Sequence, residues 1–422
     1  MVITAQDTKL KPGYKQTEVG VIPEDWEVKQ VGEIGNKFLN GGTPSTQKSE
    51  YWSGNIPWIT GADIVNQRIG AIRRYITKEA VSNSSTNIIE KGNLLLVTRT
   101  GVGKMTIAPF NVAISQDITG IYVNDKIDIE YLFRFFDFNS SKLKELNQGT
   151  SIAGITRETL MTTLVAYPPI KSEQTLIASV LSDTDLLIES FDKLIAKKRD
   201  IKQATMQQLL TGKMRLPGFS GQWEVKKLKN ECELITKGTT PTSLGKDFST
   251  HGVNFIKIES LTDEGSIIWD KIAFIDEETH KLLRRSQLKN MDILFSIAGA
   301  LGRTTLVKQD ILPANTNQAL ALIRLKGQSC LDHTFLTEYL TSPEIIQHVG
   351  SINVQAAQAN LSLEDIRNFE IRIPTIPEQK AIASILSDMD AEIAALEQKR
   401  DKTRALKQGM MQELLTGKTR LL

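Results

Sequence analysis

The pentapeptide LLTGK occupies residues 209–213 and recurs unchanged at residues 414–418. The likeness extends upstream to Glu173 and Glu378. Roughly half of the positions are identical when the second stretch is aligned 205 residues after the first. Two unrelated helical segments would not share so many residues. The chain is therefore an internal duplication, and its two repeated blocks decide how the rest of the sequence is interpreted.

Each repeated block is predicted to form one long helix, because no proline interrupts its interior. Sevenfold spacing of apolar residues, as in the seam of a coiled coil, recurs in both blocks. The predicted helix-pairing residues are Val180, Leu187, Leu194 and Ile201 in the first block and Met389, Leu396 and Met410 in the second, where Thr403 completes the series. In LLTGK, the leucines close the seam, the glycine ends the helix in the left-handed conformation, and the lysine favours the negative helix end.

The charges of the two blocks predict how the helices pair. Acidic residues dominate the first half of each block and basic residues dominate the second half. Parallel pairing would set acid against acid, whereas antiparallel pairing sets acid against base and aligns the helix dipoles favourably. We therefore expect an antiparallel coiled coil whose two halves are related by a pseudo-twofold axis.

The duplication also reaches the segments between the helices, but only at scattered stretches. The matched pairs are DWEVKQV (25–31) with QWEVKKL (222–228), NGGTPS (40–45) with KGTTPT (237–242), and KGNLLLVTRTGVGK (91–104) with NMDILFSIAGALGR (290–303). Strand-like and helix-like stretches alternate without a regular βαβ rhythm, so we predict an α+β fold. The predicted domains are a globular domain at 1–171, a spacer helix at 172–216, a second globular domain at 217–376 and a second spacer helix at 377–422.

Composition gives no overall signature of a nucleic-acid-binding protein and favours a reducing compartment. The 422 residues include 51 Lys and Arg against 49 Asp and Glu, a net charge of +2, so any nucleic-acid binding must come from local patches. The two cysteines, Cys232 and Cys330, suit a reducing compartment. The N-terminal residues lack the apolar region of a secretory signal, and no stretch approaches the roughly 18 apolar residues of a membrane span. We expect a cytoplasmic protein.

Motifs of catalysis are missing. The Gly-Lys of LLTGK is not a P-loop, because the glycine expected five residues earlier is absent from both copies. GVGK at 101–104 follows a predicted strand but lacks the same preceding glycine. The four histidines all lie in the second half, and none has metal-ligand spacing with the cysteines. A duplicated enzyme should carry its catalytic residues in both halves, so we expect no catalytic residue, metal or cofactor on this chain.

What both halves share is a set of turns. Each has a glycine turn that continues into Thr-Pro-Ser or Thr-Pro-Thr (GGTPS and GTTPT), an aromatic residue after it, and a strand that leads to a glycine loop with a terminal cation. Glycine lets the backbone approach a ligand closely, while hydroxyl groups and cations bind phosphates. Surface turns with solvated charges would look the same at any single position. Their recurrence in both halves favours a binding surface that is used twice.

Two dissimilar globular segments alternating with two similar helices, together with GGTP, IPWITGADI, LLVTRTGVGK, PEQKAIASILSDMD and LLTGK, resemble the specificity subunit of type I restriction-modification systems. The resemblance covers essentially the whole chain. It implies that each globular segment is a target-recognition domain for one half of a bipartite double-stranded DNA site. It also implies that the helices dock two methyltransferase subunits. The resulting complex methylates adenine and, with restriction-motor subunits, cleaves unmethylated DNA; its S-adenosylmethionine, ATP and Mg would belong to the partners.

The resemblance and the shared turns together suggest DNA-binding residues. Arginine and lysine contact phosphates or guanine edges, and glutamine reads adenine. The predicted residues are Thr43, Ser45, Lys48, Arg73, Arg74, Arg99, Lys104 and Gln116 in the first half, and Thr240, Thr242, Lys246, Lys257, Arg284, Arg285, Arg303 and Gln318 in the second.

Two other interpretations stay open at this point. The chain could be a structural adaptor whose coiled coil bridges proteins without touching DNA. It could also be a stand-alone nuclease or methyltransferase, although that would need a metal site or a cofactor loop. Salt-dependent binding to duplex DNA separates specificity from adaptor function, and cutting or methylation by the chain alone would identify an enzyme.

Overall fold

A computed structural model describes residues 10–146, 154–353 and 360–421 of the chain. The chain forms two compact units: unit 1 comprises Met1–Phe191 and Lys399–Leu422, and unit 2 comprises Asp192–Gln398. Each unit therefore contains one globular segment, part of the first long helix and part of the second. Most of the N-terminal stretch in which no secretory signal is expected, residues 1–9, lies outside the described residues.

The described part of unit 1 is organised around two four-stranded sheets. Its strands are β1 (Tyr14–Thr17), β2 (Gly20–Pro23), β3 (Glu27–Gln30), β4 (Gly35–Asn40), β5 (Ile56–Ile59), β6 (Ile64–Val65), β7 (Arg68–Ile69), β8 (Tyr75–Ile76), β9 (Asn87–Ile89), β10 (Leu94–Val97), β11 (Met105–Ile107), β12 (Val112–Ile114), β13 (Ile118–Val123) and β14 (Leu164–Tyr167). Its helices are α1 (Val31–Ile34), α2 (Lys78–Ser82), α3 (Ile129–Phe138), α4 (Ser140–Glu145) and α5 (Arg157–Thr162), followed by the long helix α6 (Lys171–Leu209). One sheet is antiparallel in the order β11-β10-β13-β4, and the other runs β8-β5-β12-β9 with β5 and β12 parallel.

Unit 2 repeats this topology. Its described strands are β15 (Glu224–Lys227), β16 (Cys232–Lys237), β17 (Val253–Ile256), β18 (Ala273–Ile275), β19 (Ile293–Ser296), β20 (Thr304–Leu306), β21 (Ala314–Thr316), β22 (Leu320–Leu325) and β23 (Glu370–Ile373). Its helices are α7 (Glu277–Leu282), α8 (His333–Leu340), α9 (Pro343–Asn353), α10 (Leu363–Arg367) and the start of α11 (Ile376–Leu414). The sheets run β16-β22-β19-β20 and β18-β17-β21, with β17 and β21 parallel. The predicted α+β duplication is confirmed, and it extends well beyond the matching turns.

The middle strand β10 explains why its sequence is a run of apolar residues. Leu94 and Leu96 face a core that includes α3 and the ends of both long helices. Leu95 and Val97 face the opposite way, into the core between the two sheets. A strand that is buried on both faces needs apolar side chains at every position, because successive side chains point to opposite sides. Strand β19 divides its side chains between two cores in the same way.

LLTGK closes each unit by packing a helix end against a tryptophan. Gly212 and Gly417 adopt φ values of +71° and +69°, which confirms the predicted left-handed helix ends. A Cβ on Gly417 would lie 2.4 Å from the Pro23 ring and 3.1 Å from Trp26. At Gly212 it would lie 3.5 Å from Trp223. Glycine is therefore required at Gly417 for contact with the ring as well as for conformation.

A buried glutamate begins each long helix and is paired with an arginine that follows LLTGK. In unit 1, Arg420 Nε and Nη2 donate to the two carboxylate oxygens of Glu173 at 2.5 and 2.8 Å. In unit 2, Arg215 Nε and Nη2 donate to Glu378 at 2.6 and 2.7 Å. Both glutamates are at most 1% exposed. The pairing raises the pKa of both arginines, chiefly through these hydrogen bonds.

The next residue of each block is a buried glutamine that ties the helix to its own unit. Gln174 accepts from the Asp128 backbone N–H at 2.8 Å and donates to the carbonyls of Lys126 and Pro168. Gln379 makes the corresponding three bonds in unit 2, to the Asp332 N–H and the carbonyls of Cys330 and Pro374. Much of the identity between the repeated blocks therefore has an internal structural cause.

Ion pairs show that the helices run antiparallel within each unit. In unit 1, Asp185 near the start of α6 meets Lys407 near the end of α11 at 2.6 Å. The equivalent pair in unit 2, Asp390 with Lys202, lies at 2.5 Å. Lys198 with Glu392 and Arg199 with Glu397 add two more such contacts in unit 2. The antiparallel pairing predicted from the charges is confirmed.

The predicted seam of α6 is wrong by one residue. Leu187, Leu194 and Ile201 are 47%, 38% and 41% exposed, and Val180 is only partly buried. The inward positions follow one residue later: Leu181, Ile188, Ile195 and Lys202, alternating with Thr184, Phe191, Lys198 and Thr205. Threonine and lysine occupy several inward positions, so hydrophobicity alone selects the wrong stripe. In α11, Met389, Leu396 and Met410 are partly buried on the inward face.

Two neighbouring positions of α6 test the corrected register. Ile195 is 3% exposed, so Ile195→Ala should lower the free energy of unfolding by roughly 2–5 kcal/mol through lost burial and a cavity. Leu194→Ala, one residue earlier, should change it by less than about 0.5 kcal/mol. Urea denaturation followed by circular dichroism measures both. Equal losses for the two variants would restore the original register.

The buried ion pair of unit 1 provides a second test. Arg420→Met should destabilise unit 1 by roughly 3–5 kcal/mol, because Glu173 is left buried without its partner. Lys418→Met removes an exposed cation from the same segment and serves as the control. The double variant Glu173→Gln/Arg420→Met should recover part of the loss. Urea denaturation that finds the single variant as stable as the control would contradict this role of the pair.

Candidate nucleic-acid interface

In each unit the glycine turn, NGGTPS or KGTTPT, packs against the backbone at the end of one strand. That strand is β12 in unit 1 and β21 in unit 2. A Cβ on Gly41 would lie 2.2 Å from the carbonyl oxygens of Ile114 and Ser115, at the end of β12. A Cβ on Gly238 would lie 2.0 Å from the Thr316 carbonyl, at the end of β21. No other residue fits so close to a backbone, which explains why NGGTPS and KGTTPT recur.

This close approach brings two predicted DNA-binding residues together in each unit. In unit 1, the Thr43 hydroxyl donates to Gln116 Oε1 at 2.5 Å. In unit 2, the Thr240 hydroxyl donates to Gln318 Oε1 in the same way. Both glutamines are exposed. With its oxygen held by the threonine, each amide keeps its N–H groups for an outside acceptor.

In unit 1, three of the predicted cations line a cleft of about 660 Å³. Arg73, Arg74 and Lys104 share it with Thr60 and Asp117. Lys104 Nζ also donates to the Gly61 carbonyl at 3.5 Å, within the turn that follows β5. Asp117 supplies a carboxylate acceptor among these donors. The cleft therefore offers both hydrogen-bond donors and an acceptor to a ligand with mixed polar edges.

A second cleft of unit 1, of about 570 Å³, gathers further polar groups. Arg99 and Gln116 line it together with Asn40 and Arg157. Neither Asn40 nor Arg157 was identified from the sequence: Asn40 opens NGGTPS but is replaced by Lys237 in the second half, and Arg157 lies outside the turns shared by the two halves. The structure thus places Arg99 beside the Thr43–Gln116 pair.

Ser45 and Lys48, also predicted, lie outside both clefts. The Lys48 ammonium donates to the Tyr51 hydroxyl at 3.0 Å and lies 4.8 Å from the centre of that ring. This hydrogen bond raises the pKa of Lys48. The Ser45 carbonyl accepts from the Trp52 indole N–H at 3.1 Å. These contacts fix the turn that follows Thr43.

In unit 2, several predicted cations are held by internal partners. Arg303 forms an ion pair with Asp263 and donates to the Leu261 carbonyl at 3.0 Å. These contacts fix the loop after β17. Lys104 makes a similar contact in unit 1, where it donates to the turn after β5. Lys246 pairs with Glu278 at 2.9 Å, and this hydrogen bond raises the lysine's pKa.

The remaining candidates of unit 2 are distributed over its surface. Lys257 lies 5.5 Å from the centre of the Phe248 ring. Thr242, Arg284 and Arg285 are exposed, the two arginines in a short 3₁₀ turn after α7. Their side chains are open to solvent and to any ligand that approaches this unit.

Asp63, which sequence reasoning missed, organises the first cleft of unit 1. It is 5% exposed, and its carboxylate accepts from the Thr60 backbone N–H and hydroxyl at 2.8 Å each. Arg73 and Arg74 also donate to it. Burial raises the pKa of Asp63, but hydrogen bonds from Thr60 and Arg73 outweigh it and hold the pKa below its ordinary value. The sequence does contain a signal for this ion-pair site: an aspartate in IPWITGADI is followed downstream by a pair of arginines.

Among the residues that the structure describes, no cluster is suited to hold a metal ion, and the Cys232 thiol is buried. Across residues 10–146, 154–353 and 360–421, no group of three or more His, Cys, Asp or Glu is placed to hold a metal ion. Both cysteines are free, and burial raises the pKa of Cys232 to about 12, so its thiol stays protonated at neutral pH. No helix in the described part of the chain is long and apolar enough to span a bilayer.

Comparison with known proteins gives relatives that match nearly the whole chain and one that matches about half of it. One, the MjaIX specificity subunit of a type I restriction enzyme from Methanocaldococcus jannaschii, is 25% identical over 97% of this chain and 96% of its own length. The MjaVIII specificity subunit of the same organism is 26% identical over 100% of this chain and 99% of its own length. The EcoR124I/EcoR124II specificity subunit of Escherichia coli is 29% identical over 45% of this chain and 46% of its own length.

Solved structures show the same fold. The S subunit of a type I restriction-modification system from M. genitalium superposes with a TM-score of 0.57 at 14% identity, covering 96% of this chain and 99% of that one. A chain from a study of type I R-M complex assembly gives a TM-score of 0.59 at 18% identity, covering 94% and 99%. The family model described as type I restriction modification DNA specificity domain matches twice, at residues 23–197 and 220–403. Because these matches take in most of both halves, the chain belongs to the type I restriction-modification DNA specificity family.

Proposed function

We propose that this chain supplies DNA sequence specificity to a type I restriction-modification complex, with one recognition domain for each half of a split site. The observation that carries the proposal is the Thr–Gln pair, which both units build on the same glycine turn. Adaptor and stand-alone enzyme functions are not favoured, because the family match covers both halves and is a match to DNA specificity domains.

Around this shared pair the two units present different side chains. In unit 1 the backbone N–H of Trp58 donates to the Arg74 carbonyl at 3.0 Å. Phe255 is the residue of unit 2 equivalent to Trp58, and its strand partner is Ala273. Unit 2 thus has alanine where unit 1 has arginine. Surfaces with one frame and different donors recognise different base sequences, because side chains distinguish base pairs by their donor and acceptor patterns. The target would therefore be asymmetric as well as bipartite.

The long helices support docking of two copies of one partner. Buried identities between the repeated blocks are explained by packing, but others are exposed in both copies. One group of exposed matches is Ser179 with Ser384, Asp183 with Asp388, and Lys197 with Lys402, and Ile201 with the apolar Leu406 extends it. At 3.6 residues per turn this group shares one face of each helix, whereas the exposed identities Arg199 with Arg404, Gln203 with Gln408 and Gln207 with Gln412 lie on another face. Each unit presents one complete set, and two methyltransferase subunits would bind one set each.

The remaining chemistry belongs to partners in this proposal. S-adenosylmethionine would bind the methyltransferase subunits, and ATP and Mg would bind the restriction-motor subunits. The specificity chain itself would be non-catalytic, selecting the adenines that its partners methylate. We place the complex in the cytoplasm, where a reducing environment would keep Cys232 and Cys330 free.

Deleting the gene tests the function directly. Methylated adenine should disappear from one split, asymmetric motif, because the methyltransferase would reach its site only through this chain. Genome-wide sequencing of modified bases in the parent, deletion and complemented strains measures the change. The purified complex should also bind a duplex carrying the motif with an affinity that falls steeply with salt. An unchanged methylation pattern, together with no salt-dependent duplex binding, would overturn the proposal.

Charge substitution on the exposed helix face tests the partner count. Ile201→Glu and Leu406→Glu should each leave a complex with one methyltransferase subunit, and the double variant should retain none, because a buried carboxylate opposes docking. Native mass spectrometry of the coexpressed complex counts the subunits. Leu282→Glu makes the same change at a 54% exposed leucine of α7 and should keep both. Two bound subunits in the double variant would place the docking surface elsewhere.

A further inference from the structure

In unit 1, Asp63 holds Arg73 in a fixed orientation at the surface. Its Oδ1 accepts from Arg73 Nε at 2.8 Å and Nη2 at 2.5 Å. Its Oδ2 accepts from the Thr60 N–H and hydroxyl, and from Arg74 Nη2 at 3.2 Å. The aspartate side chain is 3% exposed, whereas that of Arg73 is 61% exposed. The buried Asp63 carboxylate thus binds one edge of the Arg73 guanidinium, and the opposite edge faces solvent.

The donor geometry of Arg73 defines what it can bind. Guanidinium has five N–H donors in a planar fork. Asp63 engages Nε and one Nη2 hydrogen, so both Nη1 hydrogens and the second Nη2 hydrogen remain for an outside ligand. Two parallel donors match the O6 and N7 acceptors that guanine presents in the major groove. A phosphate can accept the same two parallel bonds but has no N7 atom, so a base analogue separates the two ligands.

Arg74 reinforces the arrangement. Its guanidinium lies 4.5 Å from the centre of the Trp58 ring, and the Trp58 indole N–H donates to the Gly42 carbonyl at 3.0 Å. The stack thereby joins the aspartate and its arginines to the glycine turn that positions Gln116. Because these groups hold one another, Arg73 loses little conformational freedom when it binds.

Unit 2 lacks this arrangement at the same positions of its frame. Strand registers pair Ile56 with Ile76 in unit 1 and Val253 with Ile275 in unit 2. Ile76 and Ile275 are therefore equivalent. Two and three residues before them, unit 1 has Arg74 and Arg73, whereas unit 2 has Ala273 and Ile272. Ser260 stands where Asp63 stands, and its hydroxyl donates to the Lys271 carbonyl at 2.9 Å. The anion and both arginines are therefore confined to unit 1.

We propose that Arg73 reads a guanine in the half-site bound by unit 1, with Asp63 as the residue that positions it, and that unit 2 makes no such contact. The inference rests on the proposed function. It assigns one half of the target a guanine whose O6 and N7 accept from the Nη1–Nη2 edge of Arg73. Asp63 touches no DNA and acts only by holding the arginine.

The test uses the full chain in its assembled complex and a pool of random-sequence duplexes. Sequencing of bound DNA should yield two half-sequences for the parent chain. Arg73→Met removes every donor at this position, so it should relax one guanine in one half and leave the other half unchanged. Asp63→Asn should relax the same guanine. Ser260→Ala, the matched change in unit 2, should leave this half unaffected.

A base analogue separates reading from structural damage. Replacing that guanine by 7-deazaguanine puts a C–H group in place of the N7 acceptor and changes nothing else. Binding by the parent chain should weaken, by no more than a full bidentate contact contributes, which is roughly 5- to 150-fold. The Arg73→Met complex should bind both duplexes alike, whereas general misfolding would weaken both without changing their ratio.

The possible results distinguish the two proposals. If the parent chain enriches no sequence, the proposed function itself is wrong. If it enriches a split sequence but Arg73→Met keeps every guanine and the full 7-deazaguanine penalty, the guanine assignment fails while the proposed function stands. If Arg73→Met relaxes the guanine but Asp63→Asn folds and does not, Arg73 reads the base without help from Asp63.

Discussion

A carboxylate buried at the start of each long helix is the constraint on which this architecture depends. Removing such a charge from water costs several kcal/mol unless a well-placed cation and hydrogen bonds compensate it. In each unit the compensating arginine follows the end of the other helix, as Arg420 does for Glu173. The pair can form only if the two helices run antiparallel and in one register. Ion pairs farther along, such as Asp185 with Lys407, then follow from that register.

The duplicated positions fall into three groups with different physical causes. Buried identities such as Gln174 and Gln379 serve the packing of each unit and would persist without any partner. Exposed identities such as Lys197 and Lys402 have no such internal cause and support a shared binding partner. Positions that differ on a common frame, such as Arg74 and Ala273, support unlike ligands. Identity between the repeated blocks alone would not have separated the first group from the second.

The α+β class, the long helices and their antiparallel pairing could be predicted because they depend on period and charge along the chain. The seam of α6 could not be found from hydrophobicity, since Leu194 points outward while Lys202 points inward to Asp390. The 205-residue offset contained the answer, because it equates Met389 with Thr184 rather than with any residue of the predicted seam. Asp63 escaped detection for another reason: its role appears only when strand pairing brings Arg73 and Arg74 beside it.

Unit 1 is discontinuous in the sequence, whereas unit 2 is one uninterrupted segment. During synthesis, every residue of unit 2 has been made before the residues of unit 1 beyond 398 exist. Glu173 therefore has no partner until Arg420 has left the ribosome, and its helix can settle only into an incomplete core. Domains generally fold as units once their sequence is available. Unit 2 would thus be the first to reach its native fold, and closure of the N-terminal recognition domain would be the last step of folding.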